Sequence, residues 1–362
     1  MILEVNGTAY DYFTDIGVNI RMDALCREFS FGTTLTAGKV LPFKGGEACR
    51  VLDDNDVIVT GFIERVDVNY SSSQHTLSVS GRDKTGDFVD STLGMKSDFL
   101  PPITLKRTIE LAVANIGADI KVVDLVKPDS FKTTTDIIAP EPGEGAFSFV
   151  EKLAKKRKVL LTSNGDGNIV ITRAGADRSA GRIQNIIGAD DNNVLSSSAS
   201  YDTTARFYKY VFASALNVAA LTKAGIVVPA DVANQKGYSI DKSIRRSRQL
   251  TLQPDSALAA KDNTARAEWE ANVRKSRGRL YSCVVQGFRA EEGGALWAVN
   301  KIVNIVDEFA GIEGDMRISA VAFSLEESGG SRTTLTCMSP EAFTLELAKP
   351  KTDKVGYELT TE

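Results

Sequence analysis

One alternating pattern is written twice in this chain. Ile63-x-x-Val66-x-Val68-x-Tyr70, a polar turn and Thr76-Leu77-Ser78-Val79-Ser80 make the first copy. Ile318-x-x-Val321-x-Phe323-x-Leu325, the turn Glu326 to Arg332 and Thr334-Leu335-Thr336-Cys337 make the second. Apolar residues at every second position turn one face of a strand to a core, so equal offsets imply the same inward face in both hairpins. Each copy follows a short strand and a glycine-containing turn, at Gly61 in one and Gly311 to Gly314 in the other. The pattern predicts two similar small β-barrels in one chain. Three such chains in a ring would set six near-equivalent units around one axis and match a six-fold partner.

Between the copies the period changes. Pro101-Pro102 ends the first extended region, and Thr104 is placed to cap a helix bearing Ile109, Leu111, Ala112 and Val113, with Gly117 ending it. A strand over Lys121 to Val126 follows, then a helix over Glu144 to Lys156 with Phe147, Val150, Leu153 and Ala154 on one stripe. Lys155-Lys156-Arg157-Lys158 falls where cations complement the helix dipole. Val159 to Leu161, the turn Asn164-Gly165-Asp166-Gly167-Asn168 and Ile169 to Ile171 read as a hairpin. Gly81-Arg82-Asp83-Lys84-Thr85-Gly86-Asp87 matches no phosphate-binding fingerprint and reads as a domain-closing turn. Ser196 to Ala215 reads as one long extended stretch, 216–248 lacks periodicity, and Ser256 is placed to cap a helix to about Arg277 with Leu258, Ala265, Trp269 and Val273 on one face. The fold class expected is mainly β with α/β insertions, two similar small β-barrels separated by an α/β domain. The domains expected are a first barrel at 1–95, an α/β domain at 96–178, a second barrel at 179–345 with an insertion around 216–278, and a polar tail at 346–362.

Composition argues against conventional chemistry. The 43 Lys+Arg against 47 Asp+Glu, a net charge of -4, give no basic field for holding nucleic acid. The 43% hydrophobic and 25% charged fractions are those of a globular chain. No apolar run approaches the roughly 18 residues of a membrane span, and no basic region precedes an apolar core at the N-terminus. Folding in a cytoplasm and no stable membrane insertion are therefore expected. Cys26, Cys49, Cys283 and Cys337 form no CxxC pair and read as small buried hydrophobes. The single histidine, His75, sits beside a hairpin turn and reads as an exposed cross-strand residue, so no catalytic residue, cofactor site or metal site is expected.

The second copy lies within Leu296-Trp297-x-Val299-Asn300-x-x-Val303-x-Ile305-x-Asp307-Glu308, Gly311-Ile312-x-Gly314 and Ile318-x-x-Val321-x-Phe323-Ser324-Leu325. These residues resemble the hub proteins of contractile phage tails, as do Gly81-Arg82-Asp83 and the Phe147 to Arg173 helix–hairpin. The family is that of the Mu-like tail protein P and the late control protein D, which is similar to the N-terminal part of the type VI secretion spike. The resemblance implies a structural protein of the virion tail baseplate, assembled in the bacterial host cytoplasm. It implies a homotrimeric ring joining the tail tube, or a tube-initiator protein, to a trimeric central spike. It further implies a tape-measure protein as a partner and passage of DNA through the channel without specific binding.

Two other readings arise from the residues. Aromatic Tyr201, Phe207, Tyr208, Tyr210 and Phe212 suggest either strand packing or a carbohydrate- or receptor-binding groove. Glu141, Glu144, Asp307 and Glu308 would have to face one another across a cleft for a cell-wall-degrading tail enzyme. Asp307 and Glu308, as strand neighbours, point to opposite faces. The interface candidates are Arg245, Arg246 and Arg248, for contacts between subunits or with the spike.

Overall fold

Seven strands come from the first alternating region: β1 (Ile2–Val5), β2 (Thr8–Tyr10), β3 (Asp15–Arg21), β4 (Glu28–Thr34), β5 (Ala48–Asp53), β6 (Asp56–Tyr70) and β7 (His75–Asp83). The computed structural model describes residues 1–34, 43–71, 75–94, 99–132, 138–157, 159–213, 236–252, 260–327 and 329–340. The strands run in the order β3-β4-β7-β6-β5-β1-β2, each antiparallel to its neighbour. Val18, Phe31, Val51 and Val79, one from each of four strands, are essentially inaccessible. His75 is half-buried rather than exposed, because its ring lies 4.5 Å from that of its cross-strand partner Tyr70.

The chain then forms α1 (Thr85–Asp90), α2 (Leu105–Ile116), β8 (Val122–Asp124), α3 (Ala146–Lys156), β9 (Leu160–Ser163) and β10 (Ile169–Thr172). The Thr104 hydroxyl accepts from Arg107 N at 3.1 Å, and Gly117 ends α2 with φ +72°. α3 buries Phe149 with Val150, Leu153 and Ala154, while Phe147 sits at the margin. Of its C-terminal cations, Lys155 pairs with Glu151 at 2.9 Å and Arg157 stacks 4.0 Å over Phe131. Both helices cover the three-stranded sheet β8-β10-β9 around a core of their own.

Gly81 to Asp83 belong to β7, and Thr85 opens α1, so the segment expected to be a closing turn runs from strand straight into helix. Asp83 makes that junction. Its carboxylate accepts from Arg27 N at 3.1 Å, Thr85 N at 3.0 Å, Thr85 Oγ at 2.5 Å and the Ser163 hydroxyl. The Arg27 guanidinium donates to Ile58 O and Ser163 O, each at 2.8 Å. Strand, helix and hairpin are thus tied through one buried carboxylate. The hairpin turn also lies directly on β6: a Cβ on Gly165 would come within 2.0 Å of Val57 O.

The second β region begins with β11 (Ile183–Asn185) and β12 (Val194–Tyr201), is interrupted by β13 (Lys209–Ala213), β14 (Lys236–Ile240), β15 (Gln249–Leu252) and α4 (Ala260–Arg277), and resumes with β16 (Arg279–Gln286), β17 (Ile302–Asp307), β18 (Ile312–Glu326) and β19 (Gly330–Met338). The continuous strand expected over Ser196 to Ala215 is broken. Asp202 accepts from Thr204 N at 2.6 Å and Thr204 Oγ at 2.8 Å, which turns the backbone there. Contacts divide the chain into two compact units. One holds Met1–Ser200 and Leu280–Ser339; the other is built on Tyr201–Arg279.

In the first unit, strands dominate and the two repeats lie in one 13-stranded sheet, order β12-β16-β19-β18-β3-β4-β7-β6-β5-β1-β2, with β17 on β18 and β11 on β17. The α/β segment separates the repeats in sequence; β3 beside β18 joins them in space, over a shared core. Asn300, at φ +65°, binds Gly175 N at 3.2 Å and Arg317 Nη1 at 2.9 Å through Oδ1, and donates to Arg173 O at 2.7 Å.

In the second unit, β13 lies between antiparallel β14 and parallel β15. Of the expected stripe Val273 is buried, but Ala265 and Trp269 are only half-buried, and the buried line along α4 is Asn263, Ala267 and Ala271, one turn apart. Small residues win because the helix lies on backbone: a Cβ on Gly237 would come within 2.0 Å of Thr264 N. Trp269 is half-buried beneath Arg266, 5.2 Å away. The expected cap Ser256, Leu258, all of 216–235 and the expected polar tail at 346–362 lie outside the described residues.

Asp83→Ala would leave four donors without their acceptor and is expected to lower the unfolding free energy by about 3 kcal/mol. Asp23→Ala, which opens the exposed pair with Arg21, is expected to cost less than about 0.5 kcal/mol. Urea titration of both variants checks the contrast.

Candidate interaction surfaces

The two hairpins agree pair by pair. In the first, Ile63 faces Gly81 and Arg65 faces Ser80, with the register slipping across Glu64. In the second, Ile318 faces Cys337 and Ala320 faces Thr336, with the slip across Ser319. Beyond this bulge Val66–Val79, Val68–Leu77 and Tyr70–His75 correspond to Val321–Leu335, Phe323–Thr333 and Leu325–Ser331. The preceding strands match as well, with Cys49 on Gly61 and Val303 on Met316. A bulge kinks and twists a strand at one residue, so sharing its position means both repeats bend alike.

Their surroundings differ. Beyond its bulge β18 is covered by β3, from Ala320 opposite Arg21 to Leu325 opposite Ile16, and Val321 and Phe323 are each 1% exposed. Beyond the equivalent bulge, β6 has β7 on one side and no described strand on the other. Val68 is 54% exposed there and Tyr70 80%. The opposite end of the sheet is β12, which among the described strands pairs with β16 alone. A third apolar patch is formed where Phe309 and Ile187 stand exposed and Ile187 N donates to Glu308 Oε2 at 2.9 Å.

The candidate arginines separate into two kinds. Arg245 and Arg246 are exposed in the turn between β14 and β15. Arg248 is half-buried: its guanidinium lies 5.0 Å over Phe207 and donates to Thr204 O, and its carbonyl accepts from Tyr208 N at 2.9 Å. The aromatic groove does not form as a row of open rings, since Tyr210 and Phe212 are buried under α4 and only Tyr201 is exposed. The carboxylates are engaged in structure. Asp307 accepts from Tyr281 Oη at 2.8 Å, Asn185 Nδ2 at 3.1 Å and Ala310 N at 2.9 Å. Burial alone would raise its pKa, but these bonds together with one from Ser197 hold it below the ordinary carboxylate value. Glu144 pairs with Lys152 at 2.7 Å. Burial pushes the Cys49 and Cys283 thiols up to about 12, as expected of inert core cysteines. Among the described residues no group of His, Cys, Asp and Glu is placed to hold a metal ion, and no helix is long and apolar enough to cross a membrane.

Three family descriptions match successive parts of the chain. Residues 1–83 match the N-terminal domain of Mu phage baseplate assembly protein GpP-like proteins, 85–173 the second domain of baseplate hub protein gp44-like proteins, and 259–346 the fourth domain of Mu phage baseplate assembly protein GpP. The chain belongs to the Mu-like baseplate hub family. Baseplate hub protein gp44 of Escherichia phage Mu is 22% identical over 358 residues, covering 98% of this chain and 91% of that protein. The 43 kDa tail protein of prophage MuSo2 from Shewanella oneidensis has the same fold, with a TM-score of 0.81 at 27% identity over 94% of this chain and 98% of that one. The Escherichia coli type VI secretion component c3393 shares the fold at a TM-score of 0.56 and 11% identity, over 99% of this chain and 79% of that one.

This hub protein is therefore a structural component of a phage tail baseplate. The first and fourth family domains fall on the two β repeats, and the second falls on the α/β segment. Between the matched segments lie residues 174–258, which include the turn carrying Arg245 and Arg246. Arg248→Ala is expected to destabilise the unit built on Tyr201–Arg279 by about 1–2 kcal/mol, through the lost cation–π contact and hydrogen bond. Arg245→Ala and Arg246→Ala are expected to change its stability by less than about 0.5 kcal/mol. Chemical denaturation of the three variants distinguishes the framework arginine from the two exposed ones.

Proposed function

We propose that three copies of this hub protein form a ring with pseudo-six-fold symmetry at the centre of the baseplate, joining the tail tube or a tube-initiator protein to a trimeric central spike. The observation that carries this reading is the pair-by-pair repeat of the β5-β6-β7 and β17-β18-β19 strands, bulge included. Six-fold and three-fold elements share an axis without mismatch only if the element between them offers six similar contacts on one face and three on the other. A chain with two equivalent folding units does so as a trimer. The ring encloses the passage for the genome, with a tape-measure protein as a further partner during assembly in the host cytoplasm. A net charge of -4 suits a conduit that must not retain phosphates. The protein acts through shape and interfaces rather than catalysis, a reading supported by carboxylates and thiols committed to internal bonds and core packing. Arg245 and Arg246 are the basic side chains offered to a neighbouring subunit or to the spike, while Arg248 supports their turn. Light scattering coupled to size exclusion is expected to give three times 39.1 kDa, 117.3 kDa, across micromolar concentrations. A concentration-independent mass of 39.1 kDa would count against the ring.

A further inference from the structure

The repeat also indicates how neighbouring copies meet, if the trimeric ring proposed above holds. On the inner side of each hairpin the correspondence continues outward: Phe31 of β4 faces Val79, and Cys283 of β16 faces the equivalent Leu335. β4 and β16 are therefore equivalent, and so are the next strands out, β3 and β12. β3 has a second partner, since it pairs antiparallel with β18 beyond the bulge. β12 has none among the described strands, and neither has the stretch of β6 equivalent to the part of β18 that β3 covers. Each chain thus carries one unused strand and one unused edge, related by the same equivalence that relates β3 to the edge it already covers.

We propose that β12 of one copy pairs antiparallel with the Arg65–Tyr70 stretch of β6 in the next, repeating between chains the β3·β18 contact made within each. Side-chain chemistry favours this occupant. Edge strands that must stay unpaired carry Lys, Pro or inward charges; β12 reads Val-Leu-Ser-Ser-Ser-Ala-Ser-Tyr with no charge and no proline. It exposes Leu195 and Tyr201, and the β6 edge exposes Val68 and Tyr70. In the internal contact the positions equivalent to Val66 and Val68, Val321 and Phe323, are covered by Ile20 and Val18. The contact is head to tail, and it closes a ring when the repeated step is a sixth of a turn without rise, as the trimer proposed above requires.

The test places a disulfide across the junction. Asp67→Cys is combined with Ser198→Cys or with Ser200→Cys, whose side chains stand on the exposed face of β12. Three of the four native thiols are buried, and burial raises the pKa of Cys26. After mild oxidation, one of the double variants is expected to run as covalent dimer and trimer on a non-reducing gel and to return to monomer with dithiothreitol, while each single variant stays monomeric. Hydrogen exchange on the unmodified protein gives a second readout: amides of 194–201 and 65–70 are expected to exchange more than about tenfold more slowly in the assembled state than on dilution. A 117.3 kDa particle with no cross-link from either pair and no such protection overturns the strand pairing and leaves the ring standing. A monomer under all conditions overturns both.

Discussion

Six antiparallel residue pairs between β3 and β18 decide the architecture of this chain. Without them the two repeats would be separate β units on a long tether. With them, Ile20, Val18 and Ile16 close over Val321, Phe323 and Leu325, and the cores of both repeats merge. Each such apolar cross-strand pair is worth up to about 1 kcal/mol beyond the burial of its side chains. Arg289 adds a polar link, reaching Asp56 at 2.9 Å and Asp54 at 3.1 Å in the β5–β6 turn of the other repeat. The geometry of this junction sets the angle between two equivalent units, which is the quantity a symmetric ring depends on.

The α/β segment is held to that frame by buried polar bonds as well as by apolar packing. Asp83 collects donors from a β loop, a helix start and a hairpin, and a buried carboxylate with its acceptors filled tolerates little displacement of any of them. Asn300 and Arg317 do the same for the 173–175 segment at the second repeat. Polar bonds are directional where apolar contact is not, so these clusters fix orientation.

What was legible in the sequence follows from range. The hairpins at Ile63 and Ile318 could be read because period two is a local signal, and the Thr104 cap and the 164–168 turn because their chemistry spans a few residues. The resemblance at Trp297 to Leu325 pointed to the right family. The face of α4 was legible only at Val273, because apolar size also marked Trp269, whereas closeness to the Gly237 backbone selected Ala267 and Ala271. Asp202 broke an apparently continuous strand with two hydrogen bonds that propensity does not record. Asp83 looked like part of a turn because its partners Arg27 and Ser163 lie far off in the chain, and the β3·β18 pairing left no local trace for the same reason. Of the candidate arginines, nothing in Arg245-Arg246-Ser247-Arg248 distinguished the one that stacks on Phe207 from the two that face outward.

Whether one chain supplies two equivalent units to one ring is decided by electron cryo-microscopy of the purified protein viewed down its symmetry axis. Six β lobes at one radius are expected, alternating between first and second repeats, each turned by a sixth of a revolution from the last. Three inner and three outer lobes, or a particle without a three-fold axis, would contradict it.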